Sequence, residues 1–351
     1  MSKRPAPAGV KGAPMLDAGQ VDTNTRTILS VLRTYPSYEV AIIGCHASLI
    51  ARTSCEYDLL VVSKDPTPPK HVRTGESFAE IFFRSEKELR EPTPELAATL
   101  AKAKVLRDNT LLLGSAVANA KRRFKESCMR AAELHLASAL KALGRVDEKV
   151  SQNLAEADFW LTAAASDLCF SEIYFSQQLP SPSHLFSQMK ALSRRKSASF
   201  KEWSEASGFK LASRASCENR LEALSVLYDV MRTTKMDMAM ALKLGRYRSD
   251  DAIAIVRAKA TELLRSQETI ECYSFLSFDV VKTLLDLYSM HCYSLRKEPD
   301  YGDVIGDLTV GPKRLISAEL IKGMSIVRPA ELVKAGADAL RVAVSALATK
   351  M

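Results

Sequence analysis

The sequence predicts the α+β class, with a small α/β module on the N-terminal side and a large all-α helical domain after it. Three observations carry this. Short apolar runs rich in Val, Ile, Leu and Phe are confined to residues 39–84, long amphipathic stretches fill the chain after Thr93, and 351 residues suit two folded units. Hydrophobic residues make up 47% and charged residues 26%, a globular composition that excludes a disordered chain. No stretch approaches the ~18 uninterrupted apolar residues of a membrane span.

The elements follow in order. Residues 1–20 are rich in Pro, Gly and Ala and lack the continuous apolar stretch of a signal peptide, so a flexible tail is expected there. Residues 21–92 form the α/β module. "DTNTRTILSVLRTY" places Ile28, Val31 and Leu32 at helical spacing after a Thr/Asn-rich start. "YEVAIIG" reads as a strand built from Val40, Ile42 and Ile43 and stopping at Gly44; "EYDLLVVS" and "SFAEIFFRS" read as the second and third. The Pro- and Gly-bearing "KDPTPPKHVRTGE" between them reads as a loop. At "EPTPEL" Thr93 is placed to cap a helix whose first turn holds Pro94, and residues 93–351 then read as helices throughout, in a bundle without a repeated period.

Seven cysteines, with no Cys-x-x-Cys pair and no spacing of a zinc site or disulfide frame, fit a reducing cytoplasmic setting. The net charge of +8 favours polyanionic partners such as RNA or nucleotides without selecting one.

Residues two apart on a strand share a face, so Glu56 and Asp58 project together while Tyr57 and Leu59 face the other way. On the third strand Phe78, Glu80 and Phe82 share a face, and a hairpin-like return of that strand beside the second would bring Glu80 to the pair. Three converging carboxylates repel one another. A hard divalent cation with oxygen ligands is the usual means of keeping all three ionised, so Glu56, Asp58 and Glu80 are the candidate ligands of Mg²⁺ or Mn²⁺.

These residues resemble the nucleotidyltransferase superfamily that includes DNA polymerase β, above all its minimal members, over about residues 22–90. The family's pattern is a helix, a strand ending in Gly-Ser, a loop, and a strand carrying acid–apolar–acid. Gly44 stands twelve positions before Glu56, the usual minimal-member spacing, and Ala47, Asp58, Leu59 and Val61 fall where the motif puts them. The resemblance implies a mixed sheet and Mg²⁺- or Mn²⁺-dependent transfer of a nucleoside monophosphate from an NTP to a hydroxyl of an RNA, a protein or a small molecule. It makes Glu56, Asp58 and Glu80 the catalytic acids, and it implies nucleotide binding by Gly44, Cys45, His46 and Ser48. Cys45 replaces the usual Ser, Leu49 a usual Gly and Glu56 the commoner Asp, which points equally to an alternative: a catalytically degraded nucleotide- or RNA-binding module.

Two further features have a functional and a bland reading. Arg130 and His135 resemble the Arg-x4–6-His element of helical HEPN ribonucleases, or are an exposed arginine and a packed histidine; "KALSRRKSASFKEW" sets basic residues beside Phe200 and Trp203, a combination that can hold a nucleic-acid backbone and stack a base, or is a solvated basic turn between helices.

Overall fold

The computed structural model describes residues 23–351 apart from 49, 53, 66, 76, 195–198, 311–313 and 325–326. The expected N-terminal tail therefore lies outside the described residues.

Five strands form one mixed sheet: β1 (Val40–Ile43), β2 (Tyr57–Val62), β3 (Lys70–Thr74), β4 (Ser77–Arg84) and β5 (Lys104–Arg107), in the order β3-β4-β2-β1-β5. β1 pairs antiparallel with β2 and β5, β3 pairs antiparallel with β4, and β2 and β4 run parallel. Apolar side chains alternate between two covered faces, as a central strand buried on both sides requires. Ala41, Ile43, Leu60 and Val62 face the helices Pro94–Lys102 and Leu112–Arg122, meeting Leu100 and Leu113. Val40, Ile42, Leu59, Val61 and Ile81 face the other way and meet Val31 of the helix Thr23–Thr34.

Three expectations about this sheet need correction. The segment read wholly as a loop contains β3, whose prolines end before Lys70; an edge strand with only partly buried side chains shows weak alternation. β4 therefore does not return beside β2 as a hairpin. It pairs with β3 through the Gly75 turn (φ 63°) and runs parallel to β2. The stretch read as entirely helical after Thr93 contains β5, a four-residue edge strand whose Val105 and Leu106 are exposed, so burial leaves no signature in its sequence. The Thr93 cap is as expected: its hydroxyl accepts from Leu96 N at 3.3 Å with Pro94 in the first turn.

The rest is helical. Phe124–Lys149 and Leu154–Phe175 pack as an antiparallel pair, and Thr269–Ser294 runs through a large apolar core with Phe159, Trp203, Leu224 and Leu340. The C-terminal helix Ala330–Lys350 approaches closely through Gly336, where a Cβ would stand 3.2 Å from Ala206 Cα. Just before it, Arg328 donates from its backbone N–H to Asp158 Oδ2 at 2.6 Å and from its side chain to Asp158 Oδ1 at 2.5 Å. The helix Asp250–Arg265 and the preceding turn Gly245–Arg248 pack against β3, which brings the helical part to the module. No described helix is long and apolar enough to cross a membrane.

Candidate active site

β1 ends at Gly44, whose φ of 67° lies in the left-handed region, and a Cβ there would overlap Oδ2 of Asp58. Glycine thus serves two needs: the turn, and room for a carboxyl group against the backbone. Gly44→Ala is expected to cost at least about 2 kcal/mol of unfolding free energy, measured by denaturant titration, from backbone strain before any displacement of Asp58. One helical turn follows over Gly44–Ala47, with Cys45 and Ala47 buried.

Asp58 on β2 and Glu80 on β4 are direct Cα partners across the parallel pair. Glu56 lies two residues before Asp58, immediately ahead of the strand, and the three carboxyl groups each place an oxygen within 4.8 Å of the others. The structure thus brings together all three acids singled out in the sequence.

It also supplies positive charge, including a lysine that the sequence did not point to. Lys259, from the helix Asp250–Arg265, sets its Nζ 2.8 Å from Oε1 and 2.6 Å from Oε2 of Glu56, with only 13% and 11% of the two side chains exposed. His71 on β3 is the Cα partner of Glu80, but its Nε2 stands 3.7 Å from Glu80 Oε1, too long for a hydrogen bond. Glu80 Oε1 and His71 Nδ1 are both buried without a hydrogen-bond partner. Farther back, Arg246 lies 3.8 Å from Asp279, and Lys282 is close enough to feel both.

The electrostatics follow from this packing. Burial pushes the Glu56 carboxyl up, and Lys259, by charge and by hydrogen bond, outweighs it and leaves the group below its ordinary value. Burial, then the charges of Glu56 and Glu80, lift Asp58 well above the usual carboxylate range. Burial lowers His71 against the pull of Glu80, and burial with the neighbouring Arg246 brings Lys282 down to about 8. One tethered ammonium hydrogen-bonds Glu56 through Oε1, leaves Glu56 Oε2 without a hydrogen-bond partner, and does not offset the burial and charge that raise Asp58.

The expected phosphate loop is mixed in character. Ser48 Oγ is buried and has no hydrogen-bond partner. His46 is already engaged, its ring stacked on Tyr57 at 3.9 Å and its Nε2 3.1 Å from the Cys55 carbonyl, while Lys104 donates to its backbone oxygen. Cys45 faces Cys55 and His184. Leu49 lies outside the described residues.

The other sequence candidates are placed apart from this cluster. Arg130 pairs with Glu126 at 2.9 Å, and His135 bonds to Asp167 at 2.8 Å, so the two side chains are held by different partners. Trp203 is buried in the helical core and offers no face to a base; Arg195 and Lys196 of the same basic stretch lie outside the described residues.

No protein-family model and no curated protein sequence matches the chain. Among solved structures it is similar to a nucleotidyltransferase-like protein from Exiguobacterium sibiricum 255-15, at 15% identity over 76% of this chain and 78% of that one, with a TM-score of 0.31.

Proposed function

We propose that the chain is a divalent-metal-dependent nucleotidyltransferase that moves a nucleoside monophosphate from an NTP to a hydroxyl acceptor. One observation carries the reading: the convergence of Glu56, Asp58 and Glu80 beside a glycine turn that admits the Asp58 carboxyl. The donor set suits a hard cation, being all carboxylate oxygen, and Glu80 Oε1 is an orphaned buried acceptor of the kind such an ion satisfies. Glu56, Asp58 and Glu80 would hold Mg²⁺ or Mn²⁺, which when bound would lower the charge on the phosphates and favour an ionised acceptor hydroxyl. The chain's own part is positional. Gly44 keeps backbone and carboxyl in contact, Ser48 offers an unpaired hydroxyl to a phosphate oxygen, and Lys259 holds Glu56 while no ion is bound.

Lys259 favours a second reading as well. An ammonium on both oxygens of Glu56 already does part of a metal's work, as expected of a degraded module that binds nucleotide or RNA without transfer. Calorimetry of the protein with each NTP, with and without Mn²⁺ or Mg²⁺, separates the two. Transfer chemistry requires metal-dependent NTP binding that weakens at least about tenfold, about 1.4 kcal/mol, in Glu56→Ala/Asp58→Ala. Binding indifferent to metal and to those substitutions supports the degraded module, and no binding of any NTP removes the transferase and leaves only an RNA-binding module.

A further inference from the structure

Beside the acids, on the far side of the same loop, lies a second cluster that the first does not use. Cys45 in the turn after β1, Cys55 immediately before Glu56 and His184 of the short helical turn Pro182–His184 each place a side-chain donor atom within 4.8 Å of the others, and all three are buried. Their spacing in sequence, 45, 55 and 184, gives no hint of the grouping.

The hydrogen bonds assign the roles. Arg52 Nε donates to His184 Nδ1 at 3.3 Å, so the ring's own proton is on Nε2, which lies 3.3 Å from Cys55 Sγ and donates to it. The Arg52 backbone N–H donates to the same sulfur at 3.3 Å, and the Cys45 sulfur lies within 4.8 Å of it. Cys55 Sγ therefore accepts from two donors, with a second sulfur nearby. Arg52 is itself anchored, through an ion pair with Glu268 and another with Glu271 at 3.7 Å. This arrangement disfavours a metal: a ligating imidazole turns a bare nitrogen to the ion and donates its other N–H outward, whereas here the outward nitrogen faces the arginine donor.

We propose that Cys45 and Cys55 are a redox-active thiol pair, with Cys55 the sulfur attacked by hydroperoxides, Cys45 the resolving thiol and His184 the residue that positions Cys55. The Cys55 sulfur attacks the outer oxygen of a hydroperoxide; the O–O bond breaks, and the departing alkoxide takes up the thiol proton of Cys55. Cys55 is now a sulfenic acid, oxidised by two electrons, and the peroxide has become an alcohol or water. The Cys45 sulfur then attacks the Cys55 sulfur, the S–O bond breaks, and the hydroxide leaves as water with the Cys45 proton. The bond would tie the Gly44–Ser48 turn to the residue next to Glu56, and the inference stands whether or not that site transfers nucleotides.

The test uses the native full-length protein. Trypsin cuts after Arg52, which puts Cys45 alone in peptide 34–52 and Cys55 alone in peptide 53–64. After brief hydrogen peroxide treatment and alkylation, mass spectrometry is expected to find these two peptides joined with loss of two hydrogens, and separated again by dithiothreitol. Cys45→Ser should instead accumulate a dimedone-reactive sulfenic acid on peptide 53–64, and His184→Gln should slow joining by about tenfold. Failure of the folded wild-type protein to form the joined peptide overturns the proposal. So does joining at an unchanged rate in His184→Gln, or about one equivalent of zinc in the purified protein that Cys45→Ser removes, which would make the trio a metal site.

Discussion

Lys259→Met is expected to destabilise the protein by about 3 kcal/mol in the presence of a chelator, because the substitution keeps the apolar stem but leaves Glu56 among two other acids with no cation on it. Removal of one partner of a buried pair costs more than the pair itself contributes, since the remaining charge can neither reach water nor find another donor. The loss has a pH signature. Asp58 is already raised above its ordinary value and rises further without Lys259, while Glu56, now held below its ordinary value by Lys259, is left to burial and rises above it. An acid whose folded pKa lies above its unfolded one binds its proton more tightly in the native state, so stability is highest at low pH and falls as pH rises above the unfolded value. The deficit of the variant should therefore be smaller at pH 5 than at pH 8. Manganese should return part of it, about 2.7 kcal/mol at a hundredfold excess over its dissociation constant, if the acids are a metal set. Urea titrations at the two pH values, with and without manganese, provide the measurement. A deficit that manganese leaves untouched would favour the internally neutralised module.

The second large effect lies in the helical core. Arg328→Met should cost about 3–5 kcal/mol, because it strips the cation from Asp158, whose side chain is only 1% exposed, and also frees Ala206 O from its donor. Burial already raises Asp158, with Arg328 pulling the other way. Without the guanidinium the carboxyl rises further, and by the same linkage the deficit should grow from pH 5 to pH 8. Asp158→Asn/Arg328→Met, which removes the stranded charge, should recover much of the loss in the same titration. A double variant no better than the single one would show that the strap matters through the Arg328 backbone and packing rather than through charge.

How much of this was legible in the sequence depends on the range of the cause. The acids were, because strand period is local: Glu56 and Asp58 two apart, and Glu80 between Phe78 and Phe82 on the next apolar run, can be assigned to one face without knowing the topology. The parallel register that sets Asp58 opposite Glu80 was not, since it depends on β3 taking the outer position, and β3 is half-exposed and follows three prolines. Lys259 was invisible for a different reason. It stands in an ordinary amphipathic helix, 203 residues from its partner, and nothing in "VRAKATEL" distinguishes it from a solvated lysine. The thiol pair and His184 were hidden likewise: cysteine spacing reports sites built within one segment, and this one draws on two.

That 203-residue separation between Glu56 and Lys259 has a meaning in time. A ribosome adding about 5–20 residues per second completes the β-sheet module at Arg107 roughly 8–30 s before it reaches the lysine. Throughout that interval the nascent module carries its three acids together with no internal counter-charge. If the acids are a metal set, the cell's own divalent cations are then the first partners they meet, and the lysine arrives as a competitor.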